Sequence, residues 1–391
     1  MRLLCCATRI GFRKKRNEQD LEKTGIKTDA LPATQGGCGE PASRRSGSRA
    51  LQDRRLGWAG FGVLSGRRCV QVHWILKERK TLNAAALNSA LGLAACTRGA
   101  AAASRIAVSV GGISFGVTAP GDLRLALDPG LTEFACDTPV CDVEIEAAWT
   151  DDLRLPEAVP AFQSGGLWSA YEESDGLSFY FQTAYLGSAP YKKAHFDKNF
   201  TRGQVSLLRR YFNPELPVYP LEYPLDELLM IHRLSTGHGA EVHGCGVLGA
   251  DGVGRLFVGH SGAGKSTTSR LWLKQPGVCV LSDDRIILRA TDGHIRMYGT
   301  PWHGDAGLAA QASGRLDRIY LLEHGRTNEI VPLEPSRAVA ELFTRIFAPH
   351  HSPAGLAHAL RFAEETANQV PVSLFRFVPD THAVEAILRA A

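Results

Sequence analysis

The residues best suited to chemistry lie between positions 259 and 305. The run Gly259-His260-Ser261-Gly262-Ala263-Gly264-Lys265-Ser266 reads G-x-x-x-x-G-K-[ST], and each part of that pattern answers a need of phosphate binding. The glycines allow positive φ and close backbone approach, so successive N–H groups can turn toward phosphate oxygens. Lys265 is placed to reach the β- and γ-phosphates and the Ser266 hydroxyl to ligate Mg²⁺, while a helix beginning there brings its positive end to the anion. Thr267 completes the candidate nucleotide-binding run. Next comes Val278-Cys279-Val280-Leu281-Ser282-Asp283-Asp284, an apolar strand ending in two carboxylates, as a metal-binding strand beside such a loop requires. The segment Gly299-Thr300-Pro301-Trp302-His303-Gly304-Asp305 is either an active-site loop or a structural turn around a packed Trp.

Elements must hold these residues in place. A strand over 255–258 feeds the loop and a helix over 265–274 leaves it. A hairpin over 285–290 and 295–299, turning at Thr291-Asp292-Gly293-His294, delivers the Trp302 segment. Upstream, Ile106, Val108 and Val110 alternate with small residues, Gly111-Gly112 turns the chain, and Ile113, Phe115 and Val117 alternate again. Val143 and Ile145 alternate with Asp142, Glu144 and Glu146, and two further strand–turn–strand patterns run from Phe162 to Phe181. These features predict a small β-rich domain whose aromatics are core. Tyr191-Lys192-Lys193 is a solvated edge or a partner contact. A Pro-rich seam (Pro217, Pro220, Pro224) leads into a short helix over 225–234. Downstream, the spacing predicts a strand over 316–322, helices over 338–347 and 356–367, and a closing strand over 372–378. His350-His351 reads as a solvated loop rather than a ligand, and Arg315 and Arg318 as cations of open orientation.

The chain has 391 residues and a net charge of +4, but the charge is unevenly placed. Residues 1–104 carry 19 Lys/Arg against 7 Asp/Glu, and the remaining 287 residues carry 25 against 33. The leader, with its Arg13-Lys14-Lys15-Arg16 cluster, lacks the periodicity to bury a core. It reads as a disordered extension or a start placed too far upstream, and Leu93-Ala94-Ala95-Cys96 within it resembles a lipoprotein cleavage box. No apolar run reaches the ~18 residues of a membrane span. Nine cysteines without a C-x-x-C pair indicate neither a zinc site nor a disulfide framework, and point to a reducing, cytoplasmic setting.

Together, residues 223–378 resemble the C-terminal domain of HPr kinase/phosphorylase and its relatives, a P-loop group akin to ATP-dependent phosphoenolpyruvate carboxykinase. In that family a His-Gly pair precedes a hairpin leading into the phosphate loop, and an Asp-Asp pair ends the next strand. Here His243-Gly244, a hairpin over 246–258 with an Asp251-Gly252 turn, and Asp283-Asp284 match. The resemblance implies Asp283 as general base toward an acceptor hydroxyl, Asp284 as a Mg²⁺ ligand and His243 as a neighbour of the reacting phosphate. Bifunctional members carry an acidic-Arg-Gly loop after the Asp pair and a later Arg-bearing loop. Here Gly299–Asp305 stands instead, as in HPr-kinase-like proteins among peptide-modification gene products, with Asp305 in place of the missing acidic ligand.

The expected fold is therefore α+β or α/β: a β-rich domain over 105–220, then a P-loop domain of the HPr kinase/phosphoenolpyruvate carboxykinase type over 221–391. The expected activity is ATP- and Mg²⁺-dependent phosphoryl transfer to a Ser hydroxyl of a protein or peptide, without nucleic acid or membrane as partner and with homo-oligomerisation open. The alternatives are a small-molecule kinase or carboxykinase, and a non-catalytic ATP-binding module that recruits a partner.

Overall fold

The computed structural model describes residues 105–183 and 189–390; the leader over 1–104 and its Leu93–Cys96 box lie outside the described residues. Alternating apolar residues dominate residues 105–208, and they build a sheet of β1 (Arg105–Val110), β2 (Ile113–Thr118), β3 (Val143–Thr150), β4 (Phe162–Gln163), β5 (Trp168–Glu172), β6 (Gly176–Phe181), β7 (Lys192–Asp197) and β8 (Arg202–Leu208). Their spatial order is β1-β2-β3-β8-β7-β6-β5-β4. The Gly111-Gly112 hairpin and the two strand–turn–strand patterns after it all form, and Val143, Ile145 and Ala147 point inward while Glu144 and Glu146 do not. Lys192 corrects the solvated-edge reading. β7 lies inside the sheet, Lys192 is fully buried, and its ammonium sits 3.3 Å from Glu222 and 4.6 Å from the centroid of Phe181.

Helix α1 (Leu225–Ser235) packs its apolar stripe, Leu225, Leu229, Met230 and Leu234, into the core of this first sheet. The chain then enters a second sheet through β9 (Ala240–Leu248), β10 (Gly254–Val258), β11 (Cys279–Ser282), β12 (Arg285–Thr291), β13 (His294–Tyr298), β14 (Ser313–Arg315), β15 (Arg318–His324), β16 (Glu329–Pro332), β17 (Ile346–Phe347) and β18 (Val372–Phe377). Four helices accompany it: α2 (Lys265–Trp272), α3 (Pro335–Phe343), α4 (Pro353–Gln369) and α5 (His382–Arg389). The described residues are thus mixed α+β with two large sheets.

The strands β10, β15 and β18 run parallel at the centre of the second sheet, and they alternate with period two between two cores, as buried strands must. Leu256, Val258, Ile319, Leu321 and Leu374 face Leu342, Phe362 and Ala363 of α3 and α4. Phe257, Tyr320, Leu322 and Phe375 face Trp272, Val384 and Ile387 of α2 and α5. The helix expected over 338–347 stops at Phe343, because Ile346 and Phe347 pair with Val242 and Glu241 of β9 instead.

Candidate functional site

The sequence-predicted site residues meet where β9 changes partners. Its residues Ala240 to His243 pair with β12, and Gly244 to Leu248 pair with β10 on the opposite side. β11 runs along the same edge of β9 as β12, and the ladder between them is broken at Asp283 and Asp284. The Gly244 N–H bridges the break by donating to the Asp284 carbonyl at 3.1 Å. On the other side β10 ends at Val258, opposite Gly244, and the chain leaves into Gly259. Three features thus flank two consecutive residues of one strand: the Asp pair, the Gly259–Gly264 loop and His243. All stand at the carboxyl ends of the parallel strands, where ligands of open α/β sheets bind.

The loop is built around Lys265. The Lys265 Nζ donates to the carbonyls of Gly259 at 2.9 Å and His260 at 3.1 Å, so the loop curls over its own ammonium. Gly264 caps α2 in a left-handed conformation, φ 104°, and a Cβ there would lie 2.6 Å from the Phe377 ring. Glycine is needed on both counts. His324 at the end of β15 supports the loop through the Gly262 carbonyl at 2.9 Å. His260, Ser261 and Gly262 are exposed, while Ala263, Ser266 and Thr267 are half-buried. Helix geometry leaves the first amides of α2, at Lys265, Ser266 and Thr267, without partners inside the helix.

The two aspartates differ. Asp283 is 1% exposed and accepts three backbone N–H groups, from Gly304 at 2.9 Å, Ala306 at 2.8 Å and Leu308 at 3.3 Å. Asp284 is more open and meets the His243 Nδ1 at 3.1 Å and the Arg285 guanidinium. That ring nitrogen also lies 3.2 Å from the Asp284 carbonyl and 3.4 Å from the Arg285 Nη1. Burial works against ionisation of Asp284, but the His243 hydrogen bond and the charges of Arg285 and Lys265 hold its carboxyl below the usual carboxylate range. Asp305 is exposed; its carbonyl, rather than its carboxylate, receives Arg270 of α2 at 3.4 Å.

Sequence reasoning missed a second layer. Arg285 bonds Glu227 of α1 at 2.6 Å, lies 3.3 Å from Glu241 of β9, and stacks over Phe347 at 4.2 Å. Burial and the neighbouring Glu227 raise the Glu241 carboxyl well above its ordinary value. Arg345 was also missed. It is 5% exposed, with its Nη1 fixed by Glu341 at 2.7 Å, its Nη2 3.3 Å from the His260 ring and its Nε–H without a partner. The carbonyl of Arg345 accepts the His243 N–H at 2.8 Å, which ties it to the same crossing of β9. Its only sequence signal is a basic residue just past a helix end, about eighty residues from the loop it touches, a separation that no local pattern encodes. Arg315 and Arg318 sit at the opposite end, since Arg318 pairs with Arg255 at the start of β10, and Arg315 bonds Asp317 at 3.1 Å. Of the His350-His351 pair, His350 is exposed, while His351 is half-buried with its ring tilted against that of His232 at 5.3 Å.

The donor set suits a hard divalent cation beside a polyanion. The Ser266 hydroxyl and the Asp284 carboxylate offer oxygen ligands of the kind magnesium takes, and the loop is open at Gly262, where a Cβ would meet nothing within 4 Å. No family model matches the chain, and no curated protein matches it.

Proposed function

We propose that the chain binds ATP with Mg²⁺ and transfers the γ-phosphoryl group to a hydroxyl, that of a Ser on a protein or peptide, in the manner of HPr-kinase-like P-loop enzymes. The observation that carries this reading is the convergence on one crossing of β9 of the loop around Lys265, the Asp283-Asp284 break and His243.

The roles follow from position. The amides at the start of α2 and the Lys265 ammonium would hold phosphate oxygens, with Lys265 giving up its two loop carbonyls to do so. Ser266 and Asp284 would hold magnesium, which when bound supplies charge neutralisation between the phosphates. His243 orients Asp284, and Arg285 holds the carboxylate from the other side. Arg345 places a guanidinium beside His260, where its Nη2 adds positive charge next to the loop. Transfer through a loose transition state asks a protein mainly for positioning and charge stabilisation, which this set supplies.

The test is transfer itself. The full chain, Mg²⁺ and γ-labelled ATP are incubated with extracts or peptide pools, and acid-stable label on serine is followed. Label is expected with the unaltered chain and not with Lys265→Ala. Equal labelling by both would exclude the assignment.

A further inference from the structure

The site holds two adjacent carboxylates, and their surroundings assign them different tasks. Asp283 is closed in. Of the roughly four lone-pair positions on a carboxylate, three are directed to the amides of Gly304, Ala306 and Leu308. Gly304 is pressed so close that a Cβ on it would lie 2.9 Å from the Asp283 Oδ2 and 3.1 Å from the Asp284 Cβ. The backbone of 304–308 therefore lies over Asp283, which is 1% exposed. A group that takes a proton from an acceptor must come within about 2.6–3.2 Å of it, and here the loop backbone occupies three of the four positions and leaves the carboxylate 1% exposed.

The same loop is fixed at two other points. The Ser282 hydroxyl donates to the Trp302 carbonyl at 3.2 Å, and Arg270 of α2 reaches the Asp305 carbonyl at 3.4 Å. His303 and Asp305 are exposed on either side of Gly304. Their placement against the Asp pair depends on the backbone that Asp283 holds.

We propose that Asp283 is a positioning residue, whose carboxylate clamps the Gly304–Leu308 backbone over the end of β11 and so sets where His303 and Asp305 stand beside the phosphate site. The use of the loop as the acceptor-side wall rests on the phosphoryl-transfer reading; the clamp does not. This reassigns the residue that the resemblance makes a general base.

The test compares Asp283→Asn with Gly304→Ala in the full chain. Asn keeps the size of the side chain but turns an N–H₂ toward an amide N–H, while Ala at 304 disturbs the clamp with the carboxylate intact. Hydrogen exchange at Gly304, Ala306 and Leu308 is measured first, then Mg·ATP affinity and Mg·ATP hydrolysis with water as acceptor. Both variants are expected to speed exchange at these amides by about tenfold or more. Both should lower hydrolysis alike, with nucleotide affinity retained, and the double variant should be no worse than the poorer single one. Unchanged exchange in Asp283→Asn would overturn the clamp. So would hydrolysis about 100-fold below that of Gly304→Ala at equal affinity, the mark of a lost proton acceptor. Exchange needs no turnover and decides the clamp alone, with Gly304→Ala carrying it should Asp283→Asn not fold. Failure of the unaltered chain to bind Mg·ATP would instead sink the nucleotide reading.

Discussion

At the scale of single residues, charge is managed by pairing. Lys265 is buried yet bonded to its own loop, Asp284 is held between His243 and Arg285, and Arg345 keeps one donor unused. Arg345 gives the sharpest residue-level expectation. If its Nη2, beside His260, meets the terminal phosphate, Arg345→Gln should weaken ATP binding by about 10–100-fold, the worth of a charge-assisted hydrogen bond, and ADP binding far less. Calorimetric titration with each nucleotide checks this, and an equal loss for both would remove Arg345 from the γ-phosphate position. Lys265, Ser266 and the Asp pair were legible in the sequence because their spacing is local, lying on one strand–loop–helix unit and the strand after it. Arg345, Arg285 and Glu241 were not, because only the pairing of β9 with β12 and β17 brings them together. The closure of Asp283 was invisible for a related reason: its partners are backbone amides, which carry no residue signature.

At the scale of elements, α1 links the first sheet to the site. Its Glu227 bonds Arg285, and its His232 is stacked on Phe200 at 4.8 Å and tilted against His351 at 5.3 Å. Burial pushes the His232 ring down to about 3 from an ordinary 6.5, against a hydrogen bond to the Leu228 carbonyl and with some help from His351. The unfolded chain then binds a proton that the folded chain refuses. Stability is unaffected above about pH 6.5 and falls as pH drops toward 3, by up to ~1.4 kcal/mol per pH unit from this group. His232→Phe should flatten that part of the acid-unfolding curve, and denaturant melts at pH 7, 5.5 and 4.5 measure it; an unchanged slope would mean the ring is protonated when folded. Most strands were legible from alternation, including the Gly111-Gly112 hairpin. Lys192 misled because a lysine within an apolar strand reads as a surface position, whereas Glu222 and the ring of Phe181 satisfy it inside.

At the scale of the whole molecule, the two sheets share packing. Ile287 of β12 and Trp302 of the site loop belong to the core of the first sheet, with Val108, Phe115 and Leu229. Trp302 is 8% exposed, and removing a buried Trp side chain costs about 3–5 kcal/mol. Trp302→Ala should therefore lower the unfolding temperature of both sheets together, seen as one shifted calorimetric transition; loss of the first sheet's signal alone would show that the sheets are independent. Among the described residues no helix is long and apolar enough to cross a membrane. The excess of acidic residues after position 104 makes positive charge at the loop a local matter, supplied by Lys265, the start of α2 and Arg345. The most direct measurement of the central claim is therefore equilibrium binding of ATP to the full chain, with and without Mg²⁺, beside Lys265→Ala. Saturable, magnesium-strengthened binding is predicted, weakened about 100-fold by loss of the charge-assisted contacts of Lys265. No binding by the unaltered chain, or equal binding by Lys265→Ala, would contradict it.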